Sequence, residues 1–197
     1  MKLNIRKISL DDLNDVVKIH SMALPDDVLP NLGITLLDRY YKSVVDDKSQ
    51  LIVGSWHDGH LLGYCLTSKK DITLTKLFSS VTGLLSLTTL MLSRPGLFYS
   101  GLKQAMKTSP LETDEAEIAF IAVSPKHQGN GVGKAMIAYA VQVCREEGIA
   151  FLKTKTSNKA LRNYYLRNYL AQEIDSYAIC GKNYSVLKWS TSPPECM

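Results

Sequence analysis

The chain has 197 residues, of which 45% are hydrophobic and 21% are charged, a composition typical of a folded globular protein. Disordered, collagen-like and disulfide-dense proteins are excluded. The formal net charge of +4 is local, because residues 69–112 hold six of the 23 basic residues but only two of the 19 acidic ones. No segment interleaves Lys or Arg with stacking aromatic residues, so nucleic acid is not an expected partner.

The cysteine pattern indicates an intracellular protein. The four cysteines are far apart, form no C-x-x-C pair and make no cluster with the four histidines, so no metal site is expected. The first ten residues lack the apolar core of a signal peptide, which predicts a cytoplasmic location with reduced thiols. The uncharged run at residues 77–93 contains seven Ser or Thr residues, and a membrane span needs about 20 mostly apolar ones. We therefore expect no transmembrane segment.

The first part of the chain predicts a strand followed by two helices. Leu3 and Ile5 alternate with polar residues, which is typical of a strand. Ser9 and Asp12 form a capping-box pattern that predicts the start of a helix. A loop with Pro and Asp follows, and apolar residues at helical spacing over 36–45 predict a second helix.

A hairpin is predicted next. Apolar runs at residues 51–56 and 61–67 flank Asp58 and Gly59, a dipeptide that favours a tight two-residue turn. Residues 69–112 then interrupt the strands with Leu-, Ser- and Thr-rich material of helical character. This segment is interpreted as a helical insertion.

The second half predicts two strands joined by a long helix. Residues 116–123 are apolar on both faces apart from Glu117, as in a central strand covered on both sides. Apolar residues then recur at helical spacing from Val132, and Gly148 is a natural left-handed cap for that helix. Residues 149–154 predict the strand that follows.

The last elements are a short helix and a second hairpin. Ser157 or Asn158 can cap the helix, and residues 171–177 and 184–189 predict the paired strands. The alternation of elements indicates a mixed α/β sheet in a single domain spanning residues 1–190, followed by a tail at 191–197.

A glycine-rich turn links the central strand to the long helix. Gly129, Gly131 and Gly133 let the backbone turn tightly and direct several N–H groups toward one anion at the helix start. This pattern predicts a phosphate or diphosphate site. A Walker A loop is excluded by Gln128 and Ala135, while a Rossmann dinucleotide loop, which needs G-x-G-x-x-G, stays a weak alternative. A helix cap without a ligand is the remaining interpretation.

The segment from Gln128 to Gly133 resembles the Q/R-x-x-G-x-G/A acyl-CoA loop of the GNAT superfamily of N-acetyltransferases. The preceding residues 121–125 resemble the strand end that these proteins commonly show. The resemblance implies a mixed, mostly antiparallel sheet of about six to seven strands flanked by helices, with the helical insertion 69–112 between the third and fourth strands. It also implies acetyl-CoA as co-substrate and no metal.

The resemblance assigns acetyl-CoA binding to the backbone of the glycine-rich turn, the end of the preceding strand and a later helix. Those residues are Ile121, Ala122, Val123, Gln128, Gly129, Asn130, Gly131, Val132, Gly133, Lys134, Asn158 and Tyr165.

A second motif suggests the catalytic groups. Residues 158–170 resemble the family's N-x-x-A-x-x-L-Y-x-x-x-G-F helix, with Asn158 and Tyr165 at matching positions. The motif's final Gly-Phe is replaced, and Asn168 is expected to supply the left-handed residue that ends the helix. A phenol with a pKa of about 10 is protonated at neutral pH, so Tyr165 is the candidate acid for the departing sulfur. Glu117, a lone carboxylate on an apolar strand, is the candidate base, acting through water. Glu112, Asp114 and Glu115 are nearby alternatives. An ion-paired strand end is the other interpretation of Glu117.

The sequence defines the acceptor amine less closely than it defines the co-substrate. Asp26 and Asp27, in the loop after the first helix, would suit a cationic amine, whereas the basic insertion would suit an anionic acceptor. A small-molecule amine, such as an amino sugar or a polyamine-like amine, is favoured over a protein N-terminus or lysine. The rival interpretation is a catalytically silent acyl-CoA-binding or regulatory module. A homodimer stays an open option.

Overall fold

The computed structural model describes residues 2–25, 27–31, 33–70, 88–89, 91–93, 95–96, 111–179 and 181–192. Within these residues seven strands form one sheet, and only the fourth and fifth strands along the chain pair in parallel. The strands are β1 (Asn4–Lys7), β2 (Gln50–His57), β3 (His60–Ser68), β4 (Glu115–Val123), β5 (Phe151–Thr156), β6 (Gln172–Ile179) and β7 (Lys182–Ser190). Their order across the sheet is β1-β2-β3-β4-β5-β7-β6.

Helices cover both faces of the sheet. They are α1 (Leu13–Ala23), α2 (Val28–Asn31), α3 (Ile34–Val45), α4 (Val132–Glu146) and α5 (Lys159–Asn168). Buried side chains of α1 and α3 form one core with β2, β3 and the end of β4. Those of α4 and α5 form a second core on the other face. This arrangement confirms the predicted fold class, a mixed and mostly antiparallel sheet flanked by helices.

The predicted β2–β3 hairpin closes at Asp58 and Gly59. Both residues have positive φ, 49° and 79°, as a two-residue turn matched to the twist of its strands requires. His57 and His60 form the last strand pair beside this turn.

The ends of α4 and α5 are formed differently. Gly148 has a φ of 79°, and the N–H of Ile149 donates to the Cys144 carbonyl at 2.9 Å, which confirms the predicted cap of α4. The prediction for α5 was wrong, because Asn168 stays within the helix and its side chain donates to the Tyr164 carbonyl at 2.9 Å. Leu170 takes the positive φ of 50° instead.

The insertion lies where the sequence places it, between the end of β3 at Ser68 and the start of β4 at Glu115. Of its residues, 88–89, 91–93 and 95–96 have helical backbone. Residues 69–70 and 111–112, at its two ends, are described and are not helical, and the remaining residues of the helical prediction fall outside the described ones. Among the described helices, none combines the length and the apolar character that crossing a membrane requires.

Candidate active site

Strands β4 and β5 separate partway along their length. Their parallel pairing runs from Glu115 with Phe151 to Ile118 with Thr154 and then stops. Beyond that point β4 stays paired with β3 up to Val123, and β5 stays paired with β7. The sheet therefore opens between the two strands, and we call this opening the inter-strand gap.

A β-bulge accompanies the separation. Leu66 on β3 pairs with Phe120, but the next residue, Thr67, pairs with Ile118, so Ala119 is an extra residue on β4. Ala119 and Phe120 consequently pack on the same core, the one formed by α1 and α3. A bulge bends its strand and increases the local twist, which turns the end of β4 away from β5.

The bent end of β4 presents backbone groups to the gap. The N–H of Ser124 donates to Leu62 on β3 at 2.8 Å, so by strand alternation the polar groups of Val123 and Ile121 face the opposite way. The carbonyl of Ala122 points toward Gly63 on β3, away from the gap. The Val123 carbonyl accepts the side-chain amide of Gln128 at 3.1 Å, which leaves its second lone pair available.

The glycine loop, residues 128–134, follows directly. Gly129 and Gly131 both have a φ of 79°, and a Cβ atom added at either position would have no neighbour within 4 Å in the described chain. Among the described residues, no backbone N–H from Gly129 to Lys134 donates an intramolecular hydrogen bond of standard geometry. The loop leads into the first turn of α4, the positive end of the helix dipole, where N–H groups without an internal partner stabilise an anion. The arrangement fits the diphosphate predicted for this loop.

Tyr165 on α5 reaches the apex of the gap. Its side chain is fully buried and stacks on Trp189, with 4.7 Å between ring centroids. The hydroxyl lies close to Thr154, the last β5 residue paired with β4, and near Cys65. Burial raises the pKa of Tyr165 well above 10, with a smaller contribution from Cys65. The phenol is therefore protonated at neutral pH.

The Tyr165 hydroxyl forms no hydrogen bond of standard geometry with the described residues, although Thr154 lies close enough to oppose part of the rise in its pKa. The nearby Thr154 hydroxyl donates instead to the Ile118 carbonyl at 2.9 Å. A buried hydroxyl without a partner costs about 1 to 3 kcal/mol, so this orphan is a candidate donor to a ligand in the gap.

Glu117 lies on the opposite face of the sheet from Tyr165. Its carboxylate pairs with Lys155 on β5, with 3.1 Å between Oε1 and Nζ. Its negative charge also helps to raise the pKa values of the Tyr40 and Tyr177 hydroxyls. Both hydroxyls are buried and lack partners among the described residues. We call Glu117, Lys155, Tyr40 and Tyr177 the Glu117 cluster.

The neighbouring carboxylate Glu115 has a structural role. It is fully buried between Lys153 on β5 and Lys188 on β7, with 2.6 Å to the Lys188 Nζ. Burial opposes its ionisation, but the hydrogen bonds from the two lysines prevail and hold the pKa of Glu115 at about 2. A carboxylate so firmly ionised and enclosed is a poor base.

A buried polar network adjoins the Glu117 cluster. The Nδ1 atom of His20 lies 2.6 Å from the hydroxyls of both Tyr41 and Tyr64. Its Nε2 atom lies 3.7 Å from the Asp27 carboxylate. Burial lowers the pKa of His20 to about 4, so the imidazole is neutral at neutral pH. Asp27 thus faces this network, while Asp26 lies outside the described residues.

One further prediction, the cap of α5, has a definite structural outcome. Asn158 caps α5, since its side-chain Oδ1 accepts the N–H groups of Ala160 and Leu161 at 2.9 and 3.1 Å. Only its amide nitrogen is left for a ligand. The polar partners Tyr40, Tyr177 and Lys155 were not predicted, because no local motif marks them.

The fold and site define an α/β protein whose opened sheet and amide-lined helix start are suited to an elongated anionic ligand. The model of the acetyltransferase (GNAT) family matches residues 13–169. The chain therefore belongs to the GNAT acetyltransferase family, and by class it is an acetyl-CoA-dependent N-acetyltransferase. Comparison with curated proteins finds no match.

Solved structures share the fold at low sequence identity. The ribosomal-protein-S18-alanine N-acetyltransferase of Escherichia coli is 14% identical with a TM-score of 0.64, and the alignment covers 100% of this chain and 99% of that one. PaiA N-acetyltransferase of Thermoplasma acidophilum, solved with coenzyme A, is 13% identical with a TM-score of 0.63, covering 96% and 99%. A chimera of Vibrio cholerae spermidine N-acetyltransferase SpeG and hSSAT is 12% identical with a TM-score of 0.63, covering 97% and 96%.

Proposed function

We propose that the chain transfers the acetyl group of acetyl-CoA directly to a primary amine on a small molecule. The observation that carries the proposal is the buried Tyr165 hydroxyl at the apex of the inter-strand gap, which has no partner among the described residues. Acetyl-CoA supplies a thioester carbonyl that is activated toward amines.

The glycine loop binds the diphosphate of acetyl-CoA. Its N–H groups act together, which matters because one exposed helix-terminus contact contributes only about 0.3 to 1 kcal/mol. The inter-strand gap admits the pantetheine arm, and Val123 offers it backbone hydrogen bonds. The amide nitrogen of Asn158 is a further donor to this arm.

Two residues handle the protons of the reaction. Tyr165 gives its proton to the departing sulfur, since the buried phenol is protonated at neutral pH. Glu117 takes a proton from the acceptor ammonium, directly or through water. Because the two side chains lie on opposite faces of the sheet, the gap separates the acid from the base.

The charges near the Glu117 cluster favour a cationic acceptor. Burial raises the pKa of Tyr40, and the carboxylates of Asp27 and Glu117 raise it further, so both charges are felt at this hydroxyl. A protonated amine gains from that negative potential, while an anionic acceptor is repelled. A polyamine-like amine therefore fits better than an acidic nucleotide sugar.

The test is CoA release with a panel of amines. Purified protein and acetyl-CoA are mixed with polyamines, amino sugars and peptides bearing a free N-terminus, and free thiol is measured. We expect release with a cationic small amine, and a loss of about 10² to 10⁴-fold in kcat for Glu117→Gln. Failure of every amine in the panel, with acetyl-CoA bound, would contradict the proposal.

A silent acyl-CoA-binding module is the second candidate. The ion pair between Glu117 and Lys155 favours it, because a base held by an internal cation is less available to an acceptor. Calorimetric binding of acetyl-CoA together with no thiol release would support this candidate over the enzyme.

A further inference from the structure

Strand β5 carries two lysines in closely matched settings. Lys153 and Lys155 project from the same face, and each pairs with a glutamate of β4, Glu115 and Glu117 respectively. Their side chains are 12% and 16% exposed, so solvent reaches both to a similar extent. They differ in position along the strand, because Lys153 lies where β4 and β5 are paired and Lys155 lies just beyond the last pair.

Lys155 places a primary amine beside the candidate base. Its Nζ lies 3.1 Å from Oε1 and 3.4 Å from Oε2 of Glu117, within reach of proton transfer. It emerges at the gap on the face opposite Tyr165. An amine acceptor must meet these same conditions, namely hydrogen-bond reach of Glu117 and access to a thioester in the gap.

We infer that Lys155 is itself an acceptor, so that the enzyme acetylates its own Lys155 when acetyl-CoA is bound. The inference rests on the proposed function. The ammonium of Lys155 loses a proton to Glu117, and Nζ then attacks the thioester carbonyl. The N–C bond forms, the C–S bond breaks, and the sulfur leaves with the proton of Tyr165 as free CoA thiol. The nitrogen loses its second proton as the amide forms, and this proton passes through water to restore the Tyr165 phenol. The proton held by Glu117 is released to solvent, so the products are acetylated Lys155, free CoA and one proton.

The modification changes the electrostatics of the Glu117 cluster. An acetylated Lys155 is neutral, so it no longer pairs with Glu117. The partly exposed carboxylate then has no paired cation among the described residues, and its charge acts on the Tyr40 and Tyr177 hydroxyls. A cationic acceptor would face less competition for Glu117 in the acetylated protein.

Peptide mass spectrometry over a time course tests the inference. The full chain is incubated with acetyl-CoA in the absence of any amine, and acetylation is followed separately at Lys155 and Lys153. Because the amine and the thioester are held together, we expect Lys155 to be modified about 100-fold faster than Lys153. The rate per chain should not depend on protein concentration.

Three controls separate self-acetylation from background chemistry. Acetyl phosphate carries an acetyl group but has no CoA moiety for the glycine loop, so the ratio of the Lys155 rate to the Lys153 rate should be much smaller than with acetyl-CoA. Glu117→Gln and Tyr165→Phe should slow modification of Lys155 and leave Lys153 unaffected. Lys155→Arg should abolish the fast phase.

The outcomes distinguish this inference from the proposed function. Equal rates at Lys155 and Lys153 with acetyl-CoA would overturn self-acetylation. Turnover of an external amine with Lys155 unmodified would also overturn it, while leaving the proposed function intact. If calorimetry showed no binding of acetyl-CoA, both self-acetylation and the proposed function would be contradicted.

Discussion

The Tyr165 hydroxyl is a buried polar group whose position a ligand in the gap would explain. The ring is held by Trp189 and by the tyrosines at 164 and 169, which fix its direction. Stacking of this kind contributes about 0.5 to 1.5 kcal/mol per pair beyond simple burial. The hydroxyl thus stays at the apex of the gap although it forms no hydrogen bond with the described residues.

Replacing Tyr165 with Phe should separate activity from stability. The variant removes an unsatisfied buried hydroxyl and keeps the stacked ring, so the free energy of unfolding should stay level or rise by about 1 kcal/mol. The kcat should fall by about 10² to 10⁴-fold with little change in acetyl-CoA affinity. Urea unfolding, calorimetry and steady-state kinetics would measure the three quantities.

Tyr169→Phe is the matched control, because Tyr169 belongs to the same aromatic group. Its kcat should change much less. Unaltered turnover in Tyr165→Phe, or a stability loss comparable with a broken buried hydrogen bond, would remove Tyr165 from the role of acid.

Residue roles were predictable only where a local motif carried them. Tyr165 was found because it lies seven residues after Asn158 in a recognisable helix. The contacts of His20 with Tyr41 and Tyr64 join residues 21 and 44 positions apart, and periodicity shows those side chains only as parts of a buried face. No motif marks Lys155 either, because its proposed role depends on where the pairing of β4 with β5 ends.

Among the strands and helices around the gap, β4 shapes the candidate site most, through its bulge. The run at residues 116–123 predicted a strand, and the structure has Glu115–Val123. The extra residue at Ala119 was not predictable, because a strand that is apolar on both faces shows no break in alternation when one residue is added. Without that break the sequence indicates a strand but not the gap beside it.

The glycine loop was predictable in more detail, because positive φ is a local property. Gly131 and Gly148 share a φ of 79°, and a side chain at either position would meet nothing within 4 Å in the described chain. One begins α4 at the proposed diphosphate site, and the other ends the same helix far from it. The two glycines therefore form a matched pair.

Gly131→Ala and Gly148→Ala should lose similar stability but differ in ligand binding. An alanine at this φ costs about 1 to 2 kcal/mol in either place, because the strain is the same. Only Gly131→Ala should weaken acetyl-CoA binding, since it alters the loop that presents the N–H groups. Equal acetyl-CoA affinity in both variants, measured by calorimetry, would argue against diphosphate binding at the loop.

The whole sheet depends on how its two parts are joined across the gap. Strands β1 to β4 meet β5, β7 and β6 through the short parallel pairing that ends at Ile118 and Thr154. Below the gap, Glu115 connects three strands through Lys153 and Lys188. The core formed by α4 and α5 also spans both parts. The gap can thus stay open without dividing the sheet.

Lys153→Met should destabilise the protein more than Lys155→Met. The first variant leaves the fully buried Glu115 with one fewer partner, which should lower the free energy of unfolding by about 3 kcal/mol. The second variant removes a partly exposed ion pair, which contributes about 1 kcal/mol or less. The two lysines share a strand and a face, so they control for backbone effects. Chemical denaturation of both variants at neutral pH would measure the difference.

The ion pairs of Glu115 with Lys153 and Lys188 predict that the free energy of unfolding decreases in acid. The folded pKa of Glu115, about 2, lies below its ordinary value of 4.5, so its contribution is complete above pH 4.5 and is lost as the pH falls toward 2. That contribution is about 3 kcal/mol, because each tenfold change in an acid dissociation constant corresponds to about 1.4 kcal/mol. Lys153→Met should therefore lose less stability than the parent chain between pH 4.5 and 2. Parallel pH profiles for the two proteins would mean that Glu115 does not hold the two parts of the sheet together.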